Sequence, residues 1–216
     1  MTATTVLSAS EAASYWDKRH LAGGALHSGG DMSFDESANQ IFYALRLGLL
    51  VDIIGHQSSP DAPLFVLDAG CGKGWFSRRL ASFGHQVDAI DPSDSALAIC
   101  RERGGGPRYF NSTLSGWRSP WLYDVVKATD VLFHIMDDDE WAASMRNLAS
   151  LVRVGGRLIV ADWGKEGDLV AGNYLVVRGR GRYLPLLAEC GMRFDGWRPY
   201  RFRQNNIGYY IFTRIG

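Results

Sequence analysis

The first part of the chain carries two helical patterns separated by a glycine-rich stretch. Ser10 and Ser14 are candidate caps of the first helix, which is predicted to end near Arg19. The second helix is predicted by large apolar side chains that recur every fourth residue. These are Ile41, Leu45, Leu49 and Ile53, flanked by Phe42 and Leu50. Between the helices, residues 21–34 are rich in glycine, which is typical of a mobile cover or substrate loop.

The pattern changes after residue 60, where short apolar runs begin to alternate with helical segments. This alternation predicts βα units and a parallel sheet. The predicted strands cover residues 64–67, 86–90, 108–110, 124–128 and 157–161. A helix over 183–190, stopped by Gly191, precedes strands at 193–200 and 208–213, which predict an antiparallel hairpin on the sheet edge. We therefore expect a helical N-terminal cap in residues 1–60 and one globular domain in residues 61–216.

Composition narrows the class of protein. The 216 residues carry 23 basic and 23 acidic side chains, so the chain lacks the broad positive field that gathers nucleic acid. Three widely spaced cysteines do not make a disulfide framework, which favours a reducing compartment. The start has no signal-peptide pattern, and no run approaches the roughly 20 apolar residues of a membrane span. We expect a cytoplasmic protein that does not bind membrane, and nucleic acid is disfavoured, though not excluded, as its partner.

The run VLDAGCGKGWFSRRL, residues 66–80, carries the main chemical signal. A strand ends at Asp68 and a helix opens after Gly74, and the glycines between them let the backbone approach a ligand closely. Such a turn can also serve packing alone. Asp91, about twenty residues further on, ends the second strand, where a carboxylate can accept both hydrogen bonds of a ribose diol. Its alternative role is to cap the helix that begins at Ser93.

LDAGCGKG and its spacing to Asp91 resemble the glycine-rich motif of the class I S-adenosylmethionine-dependent methyltransferase family. The resemblance covers residues 64–216. It implies an α/β, Rossmann-like fold: a seven-stranded, mostly parallel sheet with an antiparallel last strand and helices on both faces. It also implies S-adenosyl-L-methionine as the cofactor, with Asp91 at the ribose hydroxyls. The residues implied at the methionine part of the cofactor are Asp68, Gly70, Cys71 and Gly72.

The same resemblance assigns residues that follow the third and fourth strands. Ser112, Thr113 and Leu114 stand where family members often place an acidic residue near the adenine. That acid is absent here, so a hydroxyl or a backbone group would make the contact to the adenine amine. Ala128 and Thr129 end the fourth strand, which would run past the methionine moiety.

One histidine and one acidic run follow the fourth strand. His134 lies where related small-molecule enzymes commonly have a histidine, and with a reference pKa of about 6.5 it could accept a proton from an acceptor hydroxyl. Its alternative is a histidine hydrogen-bonded within its loop. The acidic residues 137–140 favour capping of the next helix over metal binding, because the helix dipole attracts negative charge. No zinc-like spacing is present, so no metal is predicted.

Aromatic and basic residues are candidates for covering the pocket or contacting the acceptor. Tyr15, Trp16 and Arg19 on the first helix, with Tyr43 on the second, would form a lid, although aromatic stripes are also typical of a core. The last part of the chain is rich in arginine and includes Arg178. That charge would attract an anionic acceptor, or else form a solvated face.

These features favour methyl transfer from S-adenosylmethionine to an oxygen or nitrogen of a small or medium-sized acceptor. Two alternatives stay open: a nucleic-acid methyltransferase, and a protein that binds the cofactor without transferring a methyl group. The segment DVLFHIMD lacks the N-P-P-Y-like run of amino-group DNA enzymes. No proline–cysteine pair supplies a nucleophile for attack on a pyrimidine.

Overall fold

The computed structural model describes residues 9–22, 30–31, 33–55, 63–171 and 175–216. The helices are α1 (Ala9–Ala22), α2 (Glu36–Gly55), α3 (Trp75–Ser82), α4 (Asp94–Arg103), α5 (Asp138–Ser150) and α6 (Arg180–Glu189). The strands are β1 (Phe65–Ala69), β2 (Gln86–Asp91), β3 (Arg108–Asn111), β4 (Tyr123–Ala128), β5 (Val152–Trp163), β6 (Leu169–Ala171), β7 (Leu175–Val177), β8 (Met192–Pro199) and β9 (Ile207–Arg214).

Seven of these strands form one sheet in the order β3-β2-β1-β4-β5-β9-β8. Strands β1 to β5 pair in parallel, whereas β9 runs antiparallel to both β5 and β8. This confirms the expected Rossmann-like α/β fold, with its antiparallel last strand and a hairpin on the sheet edge. Strands β6 and β7 form a separate two-stranded sheet that the sequence did not predict. Three residues per strand are too few to establish an alternating pattern.

The large sheet is buried on both faces. Successive side chains of a strand point to opposite sides, so neighbouring residues enter different cores. Val66 packs in one core with side chains of α2 and α3, whereas Leu67 packs in the other with side chains of α5 and α6. This two-sided burial explains why the central strands are nearly continuous apolar runs in the sequence.

Helix α2 buries a different face from the one that its apolar stripe predicts. Ile41 is 57 % exposed, and Leu45 and Leu49 are only partly buried. The buried residues are Ala38, Asn39, Phe42, Tyr43, Arg46, Leu50, Ile53 and Ile54. Phe42, Leu50 and Ile53 are therefore buried as predicted, whereas the prediction was wrong for the rest of the stripe. The buried face is centred about one residue further around the helix and includes Arg46.

By length and composition, α2 is also apolar enough to cross a membrane, which the sequence analysis did not anticipate. In the structure, Phe42, Leu50 and Ile53 pack in the core beside the sheet. A core helix that is apolar around much of its circumference meets the same criterion.

Other predicted features differ at their boundaries or fall on undescribed residues. Helix α1 extends to Ala22, three residues beyond its predicted end, and β5 begins at Val152, five residues before its predicted start. Helix α6 begins at Arg180, with Gly191 just beyond its C-terminal end at a φ of +73°. Most of the predicted glycine-rich loop lies at residues 23–29, outside the described residues. The same holds for the side chains of the candidate caps Ser10 and Ser14.

The buried face of α2 can be tested with two truncations on one helix. Leu50→Ala should lower the free energy of unfolding by about 2–5 kcal/mol, because it removes a fully buried side chain and leaves a cavity. Ile41→Ala should change that free energy by less than about 0.5 kcal/mol, because Ile41 lies on the exposed face. Urea denaturation of both variants measures the difference. Equal effects would contradict the observed packing of α2.

Candidate functional site

A cavity of about 1160 Å³ lies at the carboxyl ends of the parallel strands. Open α/β sheets bind ligands in this position, next to the point where the strand order reverses. Here the reversal falls between β1 and β4, because β1 has β2 on one side and β4 on the other. The cavity wall comes from α1, α2 and the segments that follow β1, β2, β3 and β4, with Trp163 from the end of β5.

The turn after β1 depends on glycine at Gly70. Its φ is +74°, which other residues rarely adopt. A Cβ there would lie 2.3 Å from Cγ2 of Val131, so the turn passes too close to the segment after β4 to carry a side chain. The backbone N–H groups of Gly70 and Cys71 donate to the carbonyl oxygen of Ile90 at 2.8 and 3.0 Å. Glycine at this position therefore serves packing, while Gly70, Cys71 and Gly72 also line the cavity.

Asp91 closes the same side of the cavity at the end of β2. Its Oδ2 accepts a hydrogen bond from the N–H of Gly72 at 2.8 Å, and its Oδ1 accepts one from the N–H of Ser93 at 2.9 Å. Burial raises the pKa of Asp91 to about 6, although these two backbone donors oppose the shift. Each carboxylate oxygen keeps a second lone pair for a ligand hydroxyl. The cap of α4 is Ser93, which accepts from the N–H of Ala96, so capping does not account for Asp91.

Asp68 contacts other side chains with both of its carboxylate oxygens. Oδ1 accepts from Nζ of Lys127 at 2.5 Å, and Oδ2 accepts from Oγ of Ser77 at 2.6 Å. Asp68 and Lys127 are both about 1 % exposed, and both line the cavity. The predicted cofactor residue Asp68 is thus part of a buried ion pair that fixes the cavity floor.

The remaining predicted cofactor residues divide into two groups. Thr113, Leu114 and Thr129 line the cavity. Ser112 lies outside the cavity wall and donates through Oγ to the carbonyl oxygen of Thr113 at 2.9 Å, and Ala128 is fully buried in the core.

Cys71 sits in the cavity wall beside a second thiol. A hydrogen bond with Cys100, together with burial, raises the pKa of Cys71 well above its ordinary value. The thiol therefore stays protonated near neutral pH and is not an activated nucleophile.

Helix α1 covers one side of the cavity. Trp16, Arg19 and His20 line it, whereas Tyr15 lies outside the wall and packs edge-on against Trp16, with ring centroids 5.3 Å apart. Burial, with the nearby charges of Lys73 and Arg19, lowers the pKa of His20 to about 4. The imidazole of His20 is therefore neutral near pH 7.

Helix α1 is attached to α4 through Asp17. Its Oδ1 accepts hydrogen bonds from Oγ of Ser93 at 2.5 Å and from Oγ of Ser95 at 2.8 Å. The two serine hydroxyls lower the pKa of Asp17, so this contact is made by a carboxylate. Because Ser93 follows Asp91 by two residues, the contact holds α1 beside the carboxylate at the end of β2.

His134 and the acidic run lie after β4. The ring of His134 packs 4.5 Å from that of Trp16 and 4.6 Å from that of Phe133, and His134 lines the cavity. Asp137 caps α5, because its Oδ1 accepts from the N–H of Glu140 at 2.8 Å. No metal-binding group of three His, Cys, Asp or Glu side chains occurs among the described residues.

Tyr43 lines the cavity as predicted, beside residues that the sequence analysis missed. The missed residues with the strongest chemistry are His20, Arg46, Lys127 and Asp130, all of which line the cavity. Arg46 and Lys127 could have been recognised in the sequence because each is a charged residue within an apolar stretch. A charge that is buried at such a position requires a partner.

Arg178 does not line the cavity. It is fully buried and pairs with Asp138 at 3.0 Å, and Arg182 pairs with the same carboxylate at 2.6 Å. Further along the chain, Arg198 pairs with Asp52. These arginines of the last part of the chain are therefore neutralised by carboxylates of the protein itself.

The chain matches known methyltransferases in sequence and in fold. The family model described as a methyltransferase domain matches residues 66–156. A ubiquinone biosynthesis O-methyltransferase from Rickettsia canadensis is 31% identical over 121 residues, which cover 54% of this chain and 50% of that protein. The chain thus spans about half the length of the curated relatives it matches.

Two solved structures share the architecture across nearly the whole chain. Magnesium protoporphyrin IX methyltransferase from Synechocystis, with bound SAM, has a TM-score of 0.69 at 20% identity, covering 93% of this chain and 91% of that one. The 1,6-didemethyltoxoflavin-N1-methyltransferase of Burkholderia thailandensis has a TM-score of 0.68 at 17% identity, covering 98% and 92%. With a methyltransferase-domain match at residues 66–156 and a seven-stranded sheet shared with these solved structures, the chain is similar to S-adenosylmethionine-dependent methyltransferases in sequence and in fold.

Proposed function

We propose that the protein transfers a methyl group from S-adenosyl-L-methionine to an oxygen or nitrogen of a small or medium-sized acceptor. The observation that carries this proposal is Asp91, a buried carboxylate beside the glycine turn, with a free lone pair on each oxygen. Its position at the end of β2, one strand away from the strand-order reversal, is where this kind of sheet binds the ribose of adenosine-containing cofactors.

The residues present fit such a cofactor. Asp91 would accept both ribose hydroxyls, and Thr113 and Leu114 would lie along the adenine. The turn at Gly70, Cys71 and Gly72 would adjoin the methionine part. The cofactor supplies an electrophilic methyl group when bound, so the protein's tasks are to align the acceptor, exclude water and accept one proton.

The size of the cavity supports an acceptor bound beside the cofactor. Pockets for one small ligand are commonly about 300–1,000 Å³, whereas this cavity measures about 1160 Å³. We propose that α1 is a cap over the bound cofactor, because Trp16, Arg19 and His20 form one wall of the cavity. A closed wall would keep water from the reacting atoms.

The charged side chains of the cavity wall indicate whether the acceptor is neutral or anionic. Carboxylates outnumber cationic side chains along its described wall, and Arg178, Arg182 and Arg198 are paired with carboxylates outside that wall. This distribution favours a neutral acceptor over the anionic one that the sequence suggested. We also propose a reducing compartment such as the cytoplasm, because Cys71, Cys100 and Cys190 are free thiols.

The proposed activity can be tested with methyl-labelled S-adenosylmethionine and a cell extract or metabolite library. Transfer should produce a labelled small molecule, identified by its mass, together with S-adenosylhomocysteine. Cofactor binding without either product would mean that the protein binds the cofactor without transfer. Label in RNA or DNA, with binding that weakens as salt is raised, would instead support a nucleic-acid methyltransferase.

The role of Asp91 predicts how cofactor affinity depends on pH. Its pKa of about 6 lies above the ordinary value, so the carboxylate is lost as the pH falls through about 6. The affinity for S-adenosylhomocysteine should then fall by up to about tenfold per pH unit below that point. Asp91→Asn should bind about 10- to 100-fold more weakly at pH 7.5, because it loses hydrogen bonds to a charged group. Its affinity should stay nearly constant between pH 5 and 7.5.

Isothermal titration calorimetry of both proteins measures these affinities, with circular dichroism at each pH to establish that the protein is folded. The Asp162 carboxyl, whose pKa burial raises to about 7, lies outside the cavity wall, so Asp162→Asn is the matched control. Equal pH dependence in wild type and Asp91→Asn would refute the ribose assignment.

The cap proposal predicts a specific effect of Asp17. Asp17→Ala removes the two hydroxyl contacts to α4, so α1 should open more often. Backbone amides of residues 15–22 should exchange with deuterium at least about tenfold faster, because the loss of even one of the two hydrogen bonds costs about 1.4 kcal/mol. Lys18→Ala, at an exposed position of the same helix, is the control.

Turnover should fall with the opening of α1 if the helix is a cap. Faster exchange with unchanged turnover would mean that α1 packs against the domain without covering the reaction.

A further inference from the structure

The cavity has two ends that lie over different strands. Asp91 marks one end beside β2, whereas Trp163 and Ile207, which pair between β5 and β9, mark the other. Strands of a sheet lie about 4.8 Å apart, so three to four strand spacings separate the two ends by about 14–19 Å. A cofactor held by Asp91 leaves the second end, here named the acceptor end, for the molecule that is methylated.

The acceptor end is largely apolar and aromatic. Its lining includes Phe42, Phe133, Trp163, Leu175 and Ile207. Apolar walls with few polar groups are typical of pockets for small organic ligands, in which the polar groups determine orientation. A flat ring fits this lining better than a charged chain.

Arg46 is the cation of the acceptor end. It is 1 % exposed, and its guanidinium lies 4.1 Å from the ring centroid of Phe42 and 4.2 Å from that of Tyr43. A charge so deeply buried is strongly unfavourable unless it is paired. Its partner is Asp130, whose Oδ2 accepts a hydrogen bond from Nη1 of Arg46.

Asp130 reaches this position through an unusual backbone conformation. It lies two residues beyond β4 with a φ of +57°, a region that residues other than glycine seldom occupy. Residues held in such conformations cluster at functional sites. The turn directs the carboxylate toward Arg46 and into the cavity wall.

One oxygen of this carboxylate has no donor. Oδ1 of Asp130 is buried, and no described residue donates a hydrogen bond to it in standard geometry. The Tyr200 hydroxyl, which also has no partner in that geometry, lies close enough to lower the pKa of Asp130. Burial raises the pKa of Asp130, although Arg46 and Lys127 oppose the shift. A buried acceptor without a donor is costly, and a ligand that brings an N–H or O–H would remove that cost.

The surrounding charges select the kind of ligand. The Asp31 carboxylate also lines the cavity and accepts from Nδ2 of Asn205 at 3.3 Å, so two carboxylates accompany the one guanidinium of Arg46. An anionic group would be repelled, whereas a neutral hydroxyl or amine would donate to Oδ1 of Asp130 without adding charge.

We propose that Asp130 binds the reacting O–H or N–H of a neutral aromatic acceptor and accepts its proton. This proposal rests on the proposed methyl transfer. The lone pair of the acceptor oxygen or nitrogen forms the new bond to the methyl carbon, and the electron pair of the carbon–sulfur bond stays on sulfur. The acceptor's proton moves to Oδ1 of Asp130 and later to water. Arg46 is a positioning residue that holds the other carboxylate oxygen.

The first test compares variants in the labelled-methyl screen. Asp130→Asn should transfer label at least about a hundredfold more slowly than wild type, within the range for a lost general base. Because Asp130→Asn leaves Arg46 buried without its anionic partner and can destabilise the fold, Arg46→Met/Asp130→Asn is the second variant. It removes both charges together and should remain folded but inactive. Asp139→Asn, at an exposed position of α5, is the matched control.

Two readouts separate this effect from misfolding or loss of cofactor. S-adenosylhomocysteine should bind the double variant within about threefold of wild type, because the Asp91 end is untouched. Thermal unfolding should remain cooperative. Transfer by the folded double variant at a wild-type rate would overturn the proposal. So would loss of transfer in His134→Gln combined with retained transfer in both Asp130 variants, since His134 would then be the base.

A second test needs no knowledge of the natural acceptor. Phenol, anisole and benzoate are titrated into the S-adenosylhomocysteine complex, with Trp163 in the cavity wall as a fluorescent reporter. Phenol should bind at least several-fold more tightly than anisole, which has no O–H to donate, and more tightly than the anion benzoate. The double variant should lose the preference for phenol over anisole. Equal binding of phenol and anisole to wild type, or tighter binding of benzoate, would overturn the proposal.

The two tests also distinguish failure of this proposal from failure of the proposed function. Wild type could instead label no molecule and yet bind phenol more tightly than anisole, with that preference lost in the double variant. Asp130 would then be supported as the group that binds the acceptor's O–H, whereas methyl transfer would not be supported. If wild type and both Asp130 variants label an acceptor at the same rate, methyl transfer is supported and the role of Asp130 is refuted.

Discussion

The structure depends on the buried ion pair between Asp68 and Lys127. The two residues stand opposite each other in the register of β1 and β4, the strands on either side of the reversal in strand order. Neither charge has access to water, so each is tolerable only while the other is in place. Ser77 of α3 donates to the same carboxylate, which joins a helix to the two strands. The turn at Gly70, which packs against Val131, follows Asp68 directly, and the floor of the cavity contains the ion pair itself.

Much of the fold could be predicted from the sequence because backbone periodicity reflects burial directly. The βα alternation, the edge hairpin and the place of Asp91 at the end of β2 were all confirmed. The predicted face of α2 was right only in part, because Phe42, Leu50 and Ile53 are buried whereas Ile41 is exposed. Periodicity counts apolar side chains, and at the centre of the buried face of α2 stands Arg46, whose burial depends on Asp130, 84 residues away in sequence.

The candidate site was predictable only where a short motif carries it. The glycine turn and Asp91 are close in sequence and have a recognisable spacing, whereas the acceptor end combines α2, the segment after β4, and β5 with β9. Sequence likewise could not separate free arginines from paired ones. Arg178 is matched by Asp138 across forty residues, and that pairing depends on how α5 meets the segment before α6. Contacts between distant segments require the tertiary structure.

The insertion of β9 between β5 and β8 constrains the order in which the protein can assemble. β8 comes first along the chain but pairs in the sheet with β9 and with no other described strand. During synthesis, β8 therefore leaves the ribosome before its pairing partner, and its edge stays unpaired until β9 has also been made. While the sheet is incomplete, its apolar side chains are exposed to chaperones and to other chains. Completion of the sheet is thus a late, cooperative event that attaches the last two strands together.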